Sequence, residues 1–350
     1  MSRLNLYVWS RFWVVVLLSA SLLGCDKFLK DSALDKIASL PAMRTHCVGR
    51  YLIDLPAEFE QLLSSDVELI YGLDKNFRKV SVKVVRETGS RPSFDQIASR
   101  RAMELAAVEH ADSPSKTQLA IQKRVDGNTI LIRSHYLSLV DSYNSDFFSE
   151  YGDVVGSFAA RTYTEGDVEV IERGVFEVVK KTRFLKVTDQ AGRGTCLGPL
   201  LIDAGQDGER FSVAFRAVSR PDAFVSIDMN SMLAKSDGGL LKRWDSKVGM
   251  LNKLNFESTT LRRGSVVIGG APGEELLTKG KDHGHVILGF TAEPLQTKPA
   301  TFASPSMAIN MNVGGQLPSA EYADASWSDV EALAIWDRIV KSIRLRPGAV

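Results

Sequence analysis

The 350-residue sequence lacks the signals that mark common enzymes. It has no Gly-x-Ser-x-Gly elbow, no phosphate loop and no His-Glu-x-x-His. Histidine is scarce: His46, His110, His135, His283 and His285 are all there is. Only Asp282-His283-Gly284-His285 brings metal-ligand types together. No partner cluster stands near it in sequence, so GKDHGH reads as a hairpin loop and not as a metal centre. No cofactor motif is found. Charge of one sign is also lacking, with 43 Lys+Arg against 42 Asp+Glu. A chain so balanced has no basic field for nucleic acid or an anionic surface. The apolar run Phe12 to Leu23 is too short for the roughly 20 residues a membrane-spanning helix needs. Cysteine is limited to Cys25, Cys47 and Cys196. What remains is the composition of an ordinary globular protein, 44% hydrophobic and 24% charged.

The short apolar run has a different meaning. Arg3 and Arg11 precede or open it, and it ends in Leu22-Leu23-Gly24-Cys25. Charged start, apolar middle and Leu-x-Gly-Cys, in that order, resemble a bacterial lipoprotein signal. Cleavage would then leave an acylated Cys25 as the mature amino terminus. More than one acyl chain gives stable anchoring, at about 0.8 kcal/mol per buried methylene. The alternative is an ordinary secretory signal with Cys25 incidental. Removal of residues 1–24 takes Lys+Arg from 43 to 41 against 42 acids, a mature charge near −1. The expected location is the periplasm, on the inner or outer membrane. Asp26 resembles an enterobacterial inner-membrane retention signal, a position that other bacteria read differently.

Cys47 and Cys196 head the same phrase. CVGRYLIDLP and CLGPLLIDAG share Cys-x-Gly-x-x-Leu-Ile-Asp. In an oxidising compartment an even pair of thiols points to a disulfide. Two free buried thiols at equivalent positions of a repeat are the alternative. The phrase itself reads as structural: Leu52-Ile53 and Leu201-Ile202 as buried strand, Gly49 and Gly198 for close backbone approach.

After each phrase the same order of patterns follows. The first half has RKVSVKVVRE with period-2 valines, then Ser93 and Gln96 as a capping box before a helical stripe of Phe94, Ile97, Ala98, Leu105 and Val108. Strands around Asp126-Gly127 and the helix-like VFEVVKK close it. The second half has strands flanking Pro221-Asp222, then a helix with Leu240, Leu241, Trp244, Val248 and Leu251 on one face. Strands at 258–270, 285–293 and 306–315 follow, and a final helix opened by Ser328 and Glu331, with Val330, Leu333, Ile339, Val340 and Ile343 on one face. Val175-Phe176-Glu177 matches Ile335-Trp336-Asp337. The fold class is α+β: two tandem domains of similar topology, each with an antiparallel sheet and packed helices. We place a signal peptide over 1–24, a tether over 25–41, and α+β domains over 42–190 and 191–350.

IGGAPGEELLTKG, 268–280, is the remaining distinctive run. Adjacent carboxylates Glu274 and Glu275 diverge on a helix or a strand, which makes them a poor acid–base dyad. With CVGRYLIDLP, GGAPGEE and the lipoprotein signal, the chain resembles the Tle cognate immunity proteins over roughly residues 42–346. The resemblance implies a non-enzymatic, membrane-tethered inhibitor of an antibacterial phospholipase effector of the type VI secretion system. It implies two α+β domains that grip the effector's lid, and no catalytic residues, cofactor or metal. Exposed loops carry recognition, so Gly270, Ala271, Pro272, Gly273, Glu274 and Glu275 are the partner-contact candidates. The competing role for this loop is to shape the second domain's own core. The competing function is an envelope lipoprotein acting as scaffold or assembly module.

Overall fold

The computed structural model describes residues 40–350 apart from 74–76, 86–92, 112, 137–138, 186–191, 237 and 254–257. The signal segment, Cys25 and nearly all of the tether lie outside the described residues, as does the expected boundary at 190/191.

The first half opens with the hairpin β1 (Met43–Gly49) and β2 (Tyr51–Pro56), which is the cysteine phrase. Short β3 (Phe59–Gln61) leads to the hairpin β4 (Asp66–Tyr71) and β5 (Arg78–Val85). Helix α1 (Phe94–Ala106) carries the expected capping box, in which Ser93 accepts from the Gln96 N–H and Gln96 accepts from the Ser93 N–H. It buries Phe94, Ile97, Ala98, Ala102 and Leu105. Val108 lies beyond the helix end and is exposed, so it leaves the expected stripe. A side ribbon of β6 (Glu109–His110) and β7 (Ser113–Thr117) precedes a meander of β8 (Leu119–Asp126), β9 (Thr129–Tyr136), β10 (Leu139–Tyr151) and β11 (Val154–Thr162). Helix α2 (Val168–Lys180) and β12 (Thr182–Phe184) end the half.

The second half repeats that order. The cysteine hairpin is β13 (Thr195–Leu197) and β14 (Leu200–Ile202). Then come β15 (Gly208–Ala217) and β16 (Ala223–Asn230), turned at Pro221-Asp222, and helix α3 (Leu240–Lys253). On α3, Leu240, Leu241 and Trp244 are half-buried; the side chains of Val248 and Leu251 lie outside the described residues. The meander is β17 (Ser258–Ile268), β18 (Ala271–Asp282), β19 (His285–Pro294) and β20 (Ser306–Val313). A ribbon of β21 (Gly315–Gln316) and β22 (Tyr322–Ala323) precedes helix α4 (Asp329–Ser342) and β23 (Arg344–Leu345). Helix α4 has its Ser328/Glu331 capping box and buries Ala332, Ile335, Trp336, Ile339 and Val340. Val330, expected on that face, is 40% exposed because helical spacing puts it on the opposite side from Ile335 and Ile339.

The α+β class and the antiparallel pairing are as the sequence leads one to expect. The halves are also joined through their sheets. One 13-stranded sheet runs β17-β18-β19-β20-β16-β15-β4-β5-β11-β10-β9-β8, with β3 added beside β15. The order is the same repeat read inward from both edges, meeting at the β15–β4 pair, where Phe211 faces Val67. The second sheet, β12-β14-β13-β1-β2-β23, is likewise symmetric about β13–β1. Its outer strands are exchanged. Strand β12, from the end of the first half, pairs with the second half's hairpin, and β23 pairs with the first half's. Both sheets therefore cross from half to half, and one large apolar core joins Val82 and Val175 of the first half to Ile227 and Trp336 of the second. Helix α1 packs on the opposite face of the large sheet, against Ile130, Ile132, Phe148 and Val155.

Candidate functional site

The two cysteines meet at the centre of the small sheet. Cys47 and Cys196 are disulfide-bonded, with Cα atoms 5.8 Å apart, and pack with Leu52, Leu185 and Leu201. The bond joins equivalent positions of the two repeats. Gly49 and Gly198 turn their hairpins with φ of 61° and 55°. A Cβ on Gly49 would lie 3.1 Å from Met229 and one on Gly198 2.9 Å from Gln61, both ends of flexible side chains, so it is the left-handed turn conformation that favours glycine at both positions.

One residue after Gly49 the phrases differ, Arg50 against Pro199. Arg50 is buried and holds Glu209 with an N–O distance of 2.7 Å; Gln206 donates to the same carboxylate. Its other nitrogen donates to the Ala349 carbonyl, while the Arg346 N–H donates to the Arg50 carbonyl at 2.8 Å. A buried charge is tolerable only when paired and hydrogen-bonded this way. The C-terminal tail is thus fastened to the junction of the halves. The sequence signal for this was the Arg/Pro difference inside an otherwise matching phrase, and its partner Glu209, 159 residues away, gave none.

The GGAPGEE run is a correction. Gly269 and Gly270, with φ of 58° and 84°, form a two-residue hairpin turn, and Ala271 already pairs with Ile268 in the β17–β18 ladder. Residues 271–275 are strand, not loop. Alternation sends the two carboxylates to opposite faces. Glu274 accepts from the Leu241 N–H at 2.9 Å and caps α3, in space that only a glycine at 239 leaves open. Glu275 is 5% exposed; it accepts from Arg262 at 2.7 Å and from the Trp336 indole N–H at 2.9 Å. Both carboxylates are engaged in the second half's own frame. Gly273 is buried as well, Ala271 half-buried, and Gly270 and Pro272 are exposed.

Asp282-His283-Gly284-His285 forms the β18–β19 hairpin turn. His283 bonds Asp282 at 2.9 Å and packs on Tyr322 with ring centres 4.3 Å apart. Among the described residues no three His, Cys, Asp or Glu side chains are grouped to hold a metal.

An opening in the packing lies mainly in the first half, with Ala204 and Arg210 of the second half at its edge. Between α2 and the ends of β4, β5 and β11 is a cavity of about 790 Å³. Tyr71 and Arg78 sit opposite each other in the β4–β5 ladder and both line it. The Tyr71 hydroxyl and the Arg78 Nε are buried and have no hydrogen-bond partner among the described residues. Burial raises the Tyr71 phenol well above its ordinary value; Glu209 adds to the shift and Arg78 opposes it. Phe77 and Tyr163, also lining the cavity, are each 64% exposed. Neighbouring cations are occupied: Lys79 and Arg210 share Glu68, and Arg161 stacks over Tyr136. The sequence reading passed over residues 139–162, which supply one wall. Their Gly152-Asp153 turn between alternating runs was the available signal.

Comparison with known proteins finds a family model that matches part of the chain. Residues 190–348 match the model of the Tle cognate immunity protein 4 C-terminal domain. The chain is similar to the Tle cognate immunity proteins. No curated protein matches it. Among solved structures, the apo immunity protein TplEi of the T6SS from Pseudomonas aeruginosa aligns at 23% identity and TM-score 0.62, covering 88% of this chain and 98% of that one. The Tle4–Tli4 complex aligns with the same identity, coverage and TM-score. TplEi complexed with "L" peptide aligns at 23% identity over 87% of this chain and 98% of that one, with TM-score 0.58. At this identity the structures speak for the fold alone, which is shared over nearly the whole described chain.

Proposed function

We propose that this chain is a non-enzymatic immunity lipoprotein that binds and inhibits a phospholipase effector of the type VI secretion system. The match of residues 190–348 to an immunity-protein domain carries the reading. A large rigid frame agrees with it: stoichiometric inhibition needs an extensive interface and slow release, not a reactive side chain. In this reading Cys25 is acylated and holds the protein on the periplasmic face of a membrane, where the effector attacks lipid. The effector's lid is gripped between surfaces of both halves, and exposed Gly270 and Pro272 remain candidate contacts.

The test is co-expression of the full chain with the phospholipase effector of its own genome. A stable complex, loss of lipase activity at one inhibitor per enzyme, and survival of cells carrying the effector in the periplasm are expected. Absence of a complex, or lipid hydrolysis by this chain alone, refutes the proposal. Mass spectrometry of the mature protein should find an acylated Cys25 at the amino terminus. Unmodified soluble protein refutes the tether while leaving the inhibitor reading intact.

A further inference from the structure

The repeat shows what the first-half cavity lacks. The ladders align the two halves residue by residue: Val80-Ser81-Val82 of β5 corresponds to Val225-Ser226-Ile227 of β16, and Phe158, facing Val82, to Ile309, facing Ile227. On that register Tyr71 and Arg78 take the places of Ala217 and Ala223, and Ala160 that of Met311. Matching Val175-Phe176-Glu177 to Ile335-Trp336-Asp337 places Asp167 where the second half has Trp327. In the second half Ala217, Ala223, Met311, Trp327 and Trp336 are all no more than 3% exposed, and the layer is closed. Where the second half has the two tryptophans and the methionine the first half has none, and it carries instead a guanidinium and a phenol whose buried Nε and hydroxyl have no partner among the described residues.

A guanidinium whose buried Nε has no partner among the described residues, beside a hydroxyl donor, is a receptor for a carboxylate, since Arg presents N–H groups in a fork matched to two oxygens. Ile70, Val80, Ile171, Val175 and Val178 form the apolar part of the wall, which desolvates and strengthens that pair, while Asp167 and Glu177 line the groove too and oppose a second negative charge beside them. The rim distinguishes the occupant. Phe77 and Tyr163 stand mostly in solvent, whereas a small-molecule pocket encloses its aromatics. Exposed aromatics around a central Arg are the composition of a protein-interface hot spot. We propose that this groove receives an Asp or Glu side chain, flanked by apolar residues, from a segment of the effector. The inference rests on the function proposed above and names the place and chemistry of one contact.

The probe is the effector that co-purifies with the full chain. Its affinity should fall at least tenfold for Arg78→Leu and severalfold for Tyr163→Ala, with melting temperatures unchanged. Replacing each Asp and Glu of the effector in turn by Asn or Gln should reveal one position whose loss weakens wild type tenfold and Arg78→Leu hardly at all. Should Arg78→Leu fold poorly, Tyr163→Ala on the exposed rim and Arg78→Lys, which keeps charge without the fork, carry the same comparison. If the intact chain binds the effector and these variants bind within twofold of it, the groove assignment is wrong while the inhibitor reading stands. If the intact chain does not bind, both fall. Loss of a self-associated species in the variants would give the groove to a second copy and overturn the effector as its occupant.

Discussion

The two halves share one topology and differ in what fills it. Across the large sheet the second half writes Leu277, Phe290 and Met311 side by side, all buried, under Ala332 and Trp336 of α4. The same row in the first half is Arg133, Ser145 and Ala160, under Glu172 and Phe176 of α2. There Arg133 holds Glu172 through two hydrogen bonds of 2.8 Å, and Ser145 donates to the same carboxylate at 2.7 Å. One half is closed by close-packed apolar volume; the other by a polar cluster with an open groove beside it. The comparison teaches that an internal repeat preserves strand order while its layers diverge. The half that gives up packing volume is the half that holds the open groove.

The largest test of this contrast is truncation of the corresponding helix aromatics. Trp336→Ala should cost about 3–5 kcal/mol in urea unfolding, as it opens a core cavity and strips Glu275 of a donor. Phe176→Ala, from a half-buried position, should cost only about 1–2 kcal/mol. Equal losses would mean that the first half is packed as firmly as the second.

The disulfide comes next. Replacing Cys47 and Cys196 together by Ala should lower stability by about 2–4 kcal/mol, since the bond closes a loop of 149 residues in the unfolded chain. The unchanged β1–β13 and β15–β4 ladders should keep the halves joined when folded. Hydrogen exchange that separates the halves into independent units in the double variant would show that the bond, and not the shared sheets, unites them.

A pH test is smaller. His46 corresponds to Thr195, one residue before each cysteine. Burial against Phe215, with help from Arg44 and against the pull of Asp54, lowers its pKa to about 4. The folded state thus resists a proton that the unfolded chain accepts near pH 6.5. This stabilisation is whole above pH 6.5 and is lost as pH falls toward 4, by roughly 1 kcal/mol per unit and about 2 kcal/mol in all after allowance for partial exposure. His46→Thr should flatten that slope in the acid window. An unaltered slope would assign it to the carboxylates.

The smallest effect expected is Arg78→Ala, which writes the second half's Ala223 into the first. Stability should change by no more than about 0.5 kcal/mol, because no described partner is left unpaired. A loss above 2 kcal/mol would place Arg78 in the fold's own frame.

The sequence by itself determined what is local. Ser93 with Gln96 and Ser328 with Glu331 cap their helices because the partner is three residues away, and no distant contact is needed to form the box. Pro221-Asp222, Asp126-Gly127 and Asp282-His283-Gly284-His285 turn the chain for similar reasons of short range. The repeated cysteine phrase carried the two-fold plan, since a motif that builds one hairpin builds it twice. Only the tertiary structure decided how the two copies meet. Strand pairing is a contest among edges far apart in sequence, so nothing in β12 or β23 announces that each closes the other half's hairpin. The same holds for Glu275, which reads as a surface acid beside glycine and proline. Its burial is set by Arg262 across the ladder and by Trp336, 61 residues away, and a carboxylate's surroundings exist only once those strands and that helix have packed.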